Sequence, residues 1–399
     1  MLVASGACTE APDSAPEQRA APQATSTPQT VPVPAAPAQA AQVASAHLQI
    51  AGSQFRTSDG RTWPWRGITS FRLLEQLAAG RTDEVERYLA WAAAEKLSIV
   101  RVLAMAKHLF ELSPDRGRAH LDDLLTRAAR HNLHVEIVAL ADTGSYDVAA
   151  ADQVSAIAAI AARHPNAVLE IANEPYHATQ RPEVHERKQL AAWLSLVPGA
   201  VPVATGADDT FDDSSDGEFV TYHFSRSSGQ QGWGHVLALA EGHAVRERLR
   251  KPLINDEPIG AGQTYQPGRR DDNPDRMRAA ALLTRMTGMG GTFHYEGGLQ
   301  SRIPEAVELA CFKAWQEAWV HLPDDIESQW TFRPAGANGS VATVSGAAGA
   351  WEVQKRNEVW LLIVGAPSSP KVQWASGWRE ERPITWSDSQ LRRAVRTGP

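Results

Sequence analysis

The sequence predicts an α/β fold, a (β/α)8 TIM barrel carrying a small C-terminal antiparallel β appendage. Eight strand-like segments fall between residues 65 and 295, nearly all separated by helical patterns. They are mostly continuous apolar runs rather than alternating ones, as expected of a parallel sheet covered on both faces. An open doubly wound sheet, the runner-up, calls for a glycine-rich phosphate turn after its first strand, and Trp65-Arg66-Gly67-Ile68-Thr69 is not one.

Taken in order, the folded part opens near His47 with strand-like pieces around Asp59-Gly60, a hairpin signal read as a small lid over one barrel end. Strand one is expected over residues 65–70. Thr82, with Asp83 and Glu84 in the first turn, is read as the cap of a helix running to about Leu97. Strand two (98–105), a helix (119–131), strand three (133–140) and a helix (150–163) follow. Strand four (168–174) is Val-Leu-Glu-Ile-Ala-Asn-Glu, and a helix over 183–196 comes after it. Strands five (201–205) and six (219–224) are joined by 206–218, a polar, acidic link too short for an outer helix. A helix over 233–249 precedes strand seven (252–257). Asn273 caps the next helix with Pro274 at its first position. Strand eight (291–295) and a closing helix (304–320) complete the barrel. Beyond Pro323 the texture changes to short strands near 340–344, 351–354, 359–364 and 372–374.

The domain reading is therefore a leader and linker over 1–46, a barrel over 47–323 and a β-rich domain over 324–399. Residues 9 to about 45 are mostly Ala, Pro, Gln, Ser and Thr with almost no large apolar side chain, a composition that cannot bury enough surface to order itself. The small residues before Cys8 resemble the end of a bacterial lipoprotein signal peptide. Ser5, however, stands where that pattern has a large aliphatic, and a basic start and full apolar segment are missing. Two readings stand: a lipid anchor at Cys8 on a secreted or cell-envelope protein, or a leader without meaning. Cys311, in an apolar helical stretch, is read as an inert buried thiol. The 399 residues carry a net charge of -7 and no clustered basic face, which argues against nucleic acid. A monomer is expected.

In a barrel of this type reactive groups sit at the C-terminal ends of the strands. That rule selects Arg101 on strand two, Asn173 and Glu174 on strand four, Tyr222 and His223 on strand six, Glu257 on strand seven, and His294 and Tyr295 on strand eight. Asp256, next to Glu257, is expected to point the other way, into the wall. Two glutamates ending strands four and seven can face each other across one mouth. Glycosidic bond cleavage needs such a pair: a proton donor to the leaving oxygen, and a second carboxylate that attacks or stabilises the oxocarbenium ion. A separation of roughly 5–5.5 Å implies a covalent, retaining mechanism and about 6.5–9.5 Å an inverting one. Each residue also has a structural reading: a helix cap or surface charge for the glutamates, an ion pair for Arg101, plain packing for the histidines and tyrosines. The 13 tryptophans are core packing or flat platforms for sugar rings. Trp63, Trp65, Phe71, His177 and Trp233 are the aromatic candidates for sugar contact. The scattered histidines His108, His120, His131 and His134 show no zinc spacing, so no metal and no cofactor is expected.

With Asn173-Glu174-Pro175 after strand four, a glutamate ending strand seven, an arginine in strand two and a histidine in strand six, the chain resembles the clan A glycoside hydrolases, closest to glycoside hydrolase family 5. Phe55 to Gly67, with Asp59-Gly60 and Trp65-Arg66-Gly67, also resembles the start of such a domain, and the resemblance covers about residues 48–321. It implies that Glu174 is the general acid/base and Glu257 the nucleophile. It implies too that Asn173 bonds the sugar hydroxyl next to the anomeric carbon, that Arg101 pairs with Glu257, and that His223 and a tyrosine orient the carboxylates. The substrate so implied is a β-linked oligo- or polysaccharide. The sequence departs from the clan at three places. Strand eight ends in Phe293-His294-Tyr295 rather than a tryptophan platform, the fifth helix is missing, and strand three ends in Ala141-Asp142-Thr143 without a histidine. A catalytically silent sugar-binding envelope protein and a transglycosylase are the other functions carried on the same barrel.

Overall fold

The structure is a computed structural model, which describes residues 47–206, 216–224, 232–262, 270–366 and 369–397. Cys8 and the Ala/Pro-rich stretch lie outside them. The barrel strands are β1 (Arg66–Thr69), β2 (Ile99–Leu103), β3 (His134–Leu140), β4 (Ala167–Ala172), β5 (Val203–Ala204), β6 (Val220–Tyr222), β7 (Leu253–Asn255) and β8 (Gly290–Phe293). They form one eight-stranded sheet in the order β5-β4-β3-β2-β1-β8-β7-β6, with every neighbouring pair parallel. The ring is nearly closed. Among the described residues no ladder joins β5 to β6, but Glu218 N–H donates to Val203 O at 2.7 Å and Val203 N–H to Glu218 Oε2 at 3.3 Å.

Helices α1 (Leu73–Ala78), α2 (Thr82–Ala94), α3 (Pro114–Arg130), α4 (Ala150–Ala161), α5 (Arg187–Leu194), α6 (Gly234–Ala238), α7 (Glu241–Leu249), α8 (Pro274–Met286) and α9 (Ala306–Gln316) cover the outside. Asn273 accepts from the N–H groups of Asp275 and Arg276 and Pro274 takes the first position, so α8 starts as its sequence specifies. Other helices differ from expectation; those expected over 183–196 and 304–320, for example, are each broken in two, at Glu186 and at Glu317. The N-cap of α2 is Arg81, not Thr82, and no side chain caps it. Helix α3 begins at Pro114, five residues early, because Ser113 accepts from Arg116 N–H just before a proline. The stretch read as one helix over 233–249 is two, α6 and α7.

The expected lid is a floor. Its ladder pairs Gln49–Ala51 with Gln54–Arg56, while Asp59-Gly60 turns the chain back to a single bridge, Arg56 with Thr62. Leu48 and Phe55 pack onto Trp65, Ile99, Val168, Ala204, Phe219 and Ile254, all at the starts of strands or on their way in. The N-terminal end of the barrel is thereby sealed with hydrocarbon, and the other end is left for chemistry.

After the barrel come β9 (Thr331–Pro334), β10 (Ala342–Ser345), β11 (Gly349–Lys355), β12 (Glu358–Val364), β13 (Lys371–Trp374), β14 (Trp378–Glu380), β15 (Ile384–Thr385) and β16 (Ser389–Arg396). Six of them build an antiparallel sheet with β16 as an inner strand, and β10 pairs with β13 separately. The sheet is fastened to the barrel at α8. Asp275 accepts from Asp388 N–H at 2.6 Å and from the Ser389 hydroxyl at 2.7 Å, and Arg278 lies over the Trp386 ring at 4.7 Å.

Candidate active site

The period of two along each strand decides what enters the barrel. Arg101 and Glu136 are paired in register, so both point inward, and Glu170 follows Val168 on the inner face of β4. On β6 and β7 the inner positions are Thr221 with Ile254, then His223 and Asp256. Above the hydrocarbon floor therefore lies a layer of charge: Arg101, Glu136, Glu170 and Asp256, each at most 1% exposed. An arginine at such depth needs partners on every edge. Its Nη1 donates to Glu257 Oε1 at 2.5 Å, and its Nη2 to Glu170 Oε2 at 2.9 Å and Asn173 Oδ1 at 3.0 Å. Its Nε lies 3.1 Å from Glu170 Oε2, 2.5 Å from Asp256 Oδ2 and 3.6 Å from Glu136 Oε2. Burial alone would lower its pKa, but Asp256, Glu170, Glu257 and Glu136 together raise it well above the ordinary value, so the guanidinium stays charged.

The expectation that Asp256 points into the wall is wrong. Strand β7 ends at Asn255, whose amide does face outward and donates to Thr284 of α8 at 3.3 Å. Asp256 is thus the inward residue, and the chain leaves the strand so that Glu257 also reaches Arg101. Alternation holds only while the strand lasts.

At the mouth, an oxygen of Glu174, an oxygen of Glu257 and a ring nitrogen of His223 all lie within 4.8 Å of one another. His223 Nδ1 is 3.5 Å from Glu174 Oε1. Glu174 has φ +40°, in the left-handed region that non-glycine residues seldom adopt and that recurs at functional sites. The loop is pinned on both sides: Asn173 N–H donates to Leu140 O at 2.9 Å, and the Gln180 amide donates to Asn173 O at 2.6 Å. Gly206, φ +87°, lets β5 pass this loop, since a Cβ there would stand 1.8 Å from Ala172 O. A cleft of about 450 Å³ opens over these groups, lined by Glu174, Glu257 and His294 and by Phe71, Asp142 and Glu296.

The structure brings Arg101, Asn173, Glu174, His223, Glu257 and His294 together. His294 points inward and its Nδ1 is 2.8 Å from Thr69 Oγ1. Three of the expected contacts lie elsewhere. Tyr222 is on the opposite face of β6 from His223, with its ring 4.7 Å from that of Phe224. Tyr295, outward like Phe293, is fully buried; its hydroxyl bonds Arg302 O at 2.5 Å and lies 3.1 Å from that of Tyr88. Trp65 belongs to the floor, where its indole N–H donates to Thr292 Oγ1 at 3.2 Å. Of the other aromatic candidates, Phe71 and His177 line the cleft, Trp63 packs on His134 in the floor, and Trp233 lies against Gly365 of the C-terminal sheet.

Sequence reasoning passed over Glu136, Glu170, Asp142 and Glu296. For the first two the signal was present: a lone acid inside an apolar strand is tolerable only with a partner. Asp142 takes the left-handed φ of +53° just past β3, and its carboxylate accepts from the N–H groups of Lys107 and His108. Two trios, Glu174–His223–Glu257 and Glu136–Glu170–Asp256, have donor spacing that a divalent ion could use. The lower trio already surrounds the Arg101 guanidinium, which supplies the positive charge a metal would bring.

A glycoside hydrolase of family 5 from Bacteroides vulgatus matches the chain with a TM-score of 0.59 at 15% identity, covering 88% of this chain and 93% of its own. Another structure, described as a glycoside hydrolase, gives 0.58 at 13% identity, covering 88% of this chain and 97% of its own. The fold is that of glycoside hydrolase family 5. A β-glucanase from Saccharophagus degradans in complex with cellotetraose matches at 0.53 and 12% identity over 69% of this chain and 93% of its own. No protein-family model matches the sequence, and no curated protein sequence matches it. Likeness to family 5 is thus carried by backbone architecture.

Proposed function

We propose that the chain is a retaining glycoside hydrolase that cleaves a β-linked oligo- or polysaccharide through a covalent glycosyl-enzyme. The observation that carries this reading is the approach of the Glu174 and Glu257 carboxylates to within 4.8 Å, oxygen to oxygen, at the mouth of the barrel. That distance suits attack from one face of the sugar with protonation from the other, and leaves too little room for the water of an inverting enzyme.

Glu257, paired with Arg101, attacks the anomeric carbon, while Glu174 gives its proton to the leaving glycosidic oxygen. The ester replaces the charge on Glu257, and Glu174, now a carboxylate, takes a proton from the water that attacks the same carbon from the opened side. The bond from water forms as the ester bond breaks, and Glu257 leaves as a carboxylate held by Arg101. Asn173 gives its amide oxygen to Arg101, so its NH₂ group is the end available to a sugar hydroxyl. His223 fixes the orientation of Glu174 from behind.

Cello-oligosaccharides and their activated aryl glycosides are the first substrates to try, given the ligand of the Saccharophagus enzyme. Replacement of Glu257 by Ala is expected to abolish turnover, and added azide to restore it as a glycosyl azide of inverted configuration. Full turnover in Glu257→Ala would end the assignment.

A further inference from the structure

The charged layer beneath the nucleophile contains more acid than its surroundings can hold ionised. Glu136, Glu170, Asp256 and Glu257 crowd one guanidinium, and the first three are fully buried. Glu136, Glu170 and Asp256 have oxygens within 4.8 Å of one another. Among the described residues, no N–H or hydroxyl group donates to either oxygen of Glu136. The neighbours of its carboxyl are other carboxyls and the Nε edge of Arg101 at 3.6 Å.

We infer that Glu136 is a positioning residue that keeps its proton and donates it in a hydrogen bond to Asp256, so that Asp256 remains a carboxylate beside Arg101 and the guanidinium keeps its Nη1 edge for Glu257. This deepens the hydrolase reading and rests on Glu257 being its nucleophile.

The titratable and charged groups facing this pair are Arg101 from β2, Glu170 from β4, His223 following β6, and Glu257 following β7. Burial, then the charge of Asp256, pushes Glu136 well above the ordinary carboxyl range, and Arg101 only partly offsets this. Asp256 accepts from Thr292 Oγ1 and lies 2.5 Å from Arg101 Nε, whereas neither oxygen of Glu136 has a donor among the described residues, so the proton belongs on Glu136. Burial also raises Glu170, to about 7, with Arg101 working against it; Glu170 accepts from both Nε and Nη2 of Arg101, a support that Glu136 lacks. Thr221 Oγ1 at 3.3 Å steadies Glu170 and Thr292 Oγ1 at 3.1 Å steadies Asp256, which leaves Glu136 as the acid of this trio without a donor among the described residues.

The test has two arms. Difference infrared spectroscopy at pH 8 of the parent against Glu136→Gln is expected to lose one protonated-carboxyl C=O band, a result that needs no activity. An unchanged spectrum would overturn the inference and leave the hydrolase reading intact. Should Glu136→Gln fail to fold, Asp256→Asn answers the same question: the band persists and moves in frequency, whereas its loss would put the proton on Asp256. In the second arm, Glu136→Met removes the donor at similar volume. Asp256 then takes up the proton, Arg101 is shared by one charge fewer, and Glu257 is held more tightly. The expected result is at least a tenfold loss of kcat, an acid limb of kcat/KM at lower pH, and recovery of most of the loss in Glu136→Gln. Parent-like kcat and pH profile in a folded Glu136→Met would overturn it.

Discussion

Nη1 of Arg101 lies 2.5 Å from Oε1 of Glu257, a residue 156 positions away in the chain, and the same guanidinium reaches Glu170 and Asn173 with its other edge. One planar group thus sets the geometry of both glutamate-bearing loops. A lysine keeps the charge but cannot serve three acceptors in one plane. Arg101→Lys is expected to lose about 10²-fold in kcat, the scale of a small misplacement of reacting groups, and to lower the thermal midpoint. Steady-state kinetics within threefold of the parent would mean the fork is dispensable.

Glu174→Gln separates the two chemical steps. With a poor leaving group the first step lacks its acid and slows by at least about 10²-fold. With a dinitrophenyl glycoside the first step no longer needs that acid and the second becomes limiting, so a burst of product should precede a slow steady state. Azide should accelerate that steady state and give a product of retained configuration. Equal loss on both substrates, without a burst, would remove Glu174 from the acid/base role.

His134 starts β3 in the floor, against Trp63, and neither ring nitrogen is hydrogen-bonded among the described residues. Burial holds its pKa at about 4. The unfolded chain takes up a proton near pH 6.5 and the folded one refuses it until about 4, so the stability His134 confers is present above 6.5 and lost as pH falls through that window. At about 1.4 kcal/mol per unit, about 3 kcal/mol disappears by pH 4. Glu170, raised to about 7, acts with the opposite sign between the unfolded carboxyl value and 7. Urea midpoints of the parent and His134→Phe at pH 7 and 4.5 isolate the histidine: the variant should lose less on acidification.

Asp275 is 6% exposed and satisfies Asp388 N–H and the Ser389 hydroxyl from across the junction with the C-terminal sheet. Asp275→Ala strands both donors and is expected to cost about 1–3 kcal/mol, measured by calorimetry, with no change in KM. A loss of substrate affinity instead would tie the sheet to the cleft.

The barrel was legible because its strands are long apolar runs with acids only where a partner waits, and because Asn273-Pro274 marks the start of α8; the equivalent signal at Ser113-Pro114 went unread. Asn173-Glu174 and Glu257 were legible because each ends such a run abruptly. What escaped notice was set by direction rather than composition. Tyr222 and Tyr295 stand next to inward histidines, and a one-residue step reverses the face. Trp65 precedes a strand instead of following it, which puts it at the sealed end. Asp256 reads as a wall residue until the strand is seen to stop at Asn255. Strand β16, Ser389–Arg396, carries three arginines and looks like surface; Ser389, Leu391 and Ala394 are its buried residues.

Among the described residues, the junction between Val203 and Glu218 is where the ring of strands is stitched by a backbone bond and a side chain instead of a ladder. Cylinders split along their weakest stave. Amide protons of Val203 and Glu218 should therefore exchange with solvent sooner than those of Val100 or Ile137 on the far wall, and the first breach in thermal unfolding should run between β5 and β6, beside the turn that carries Glu174.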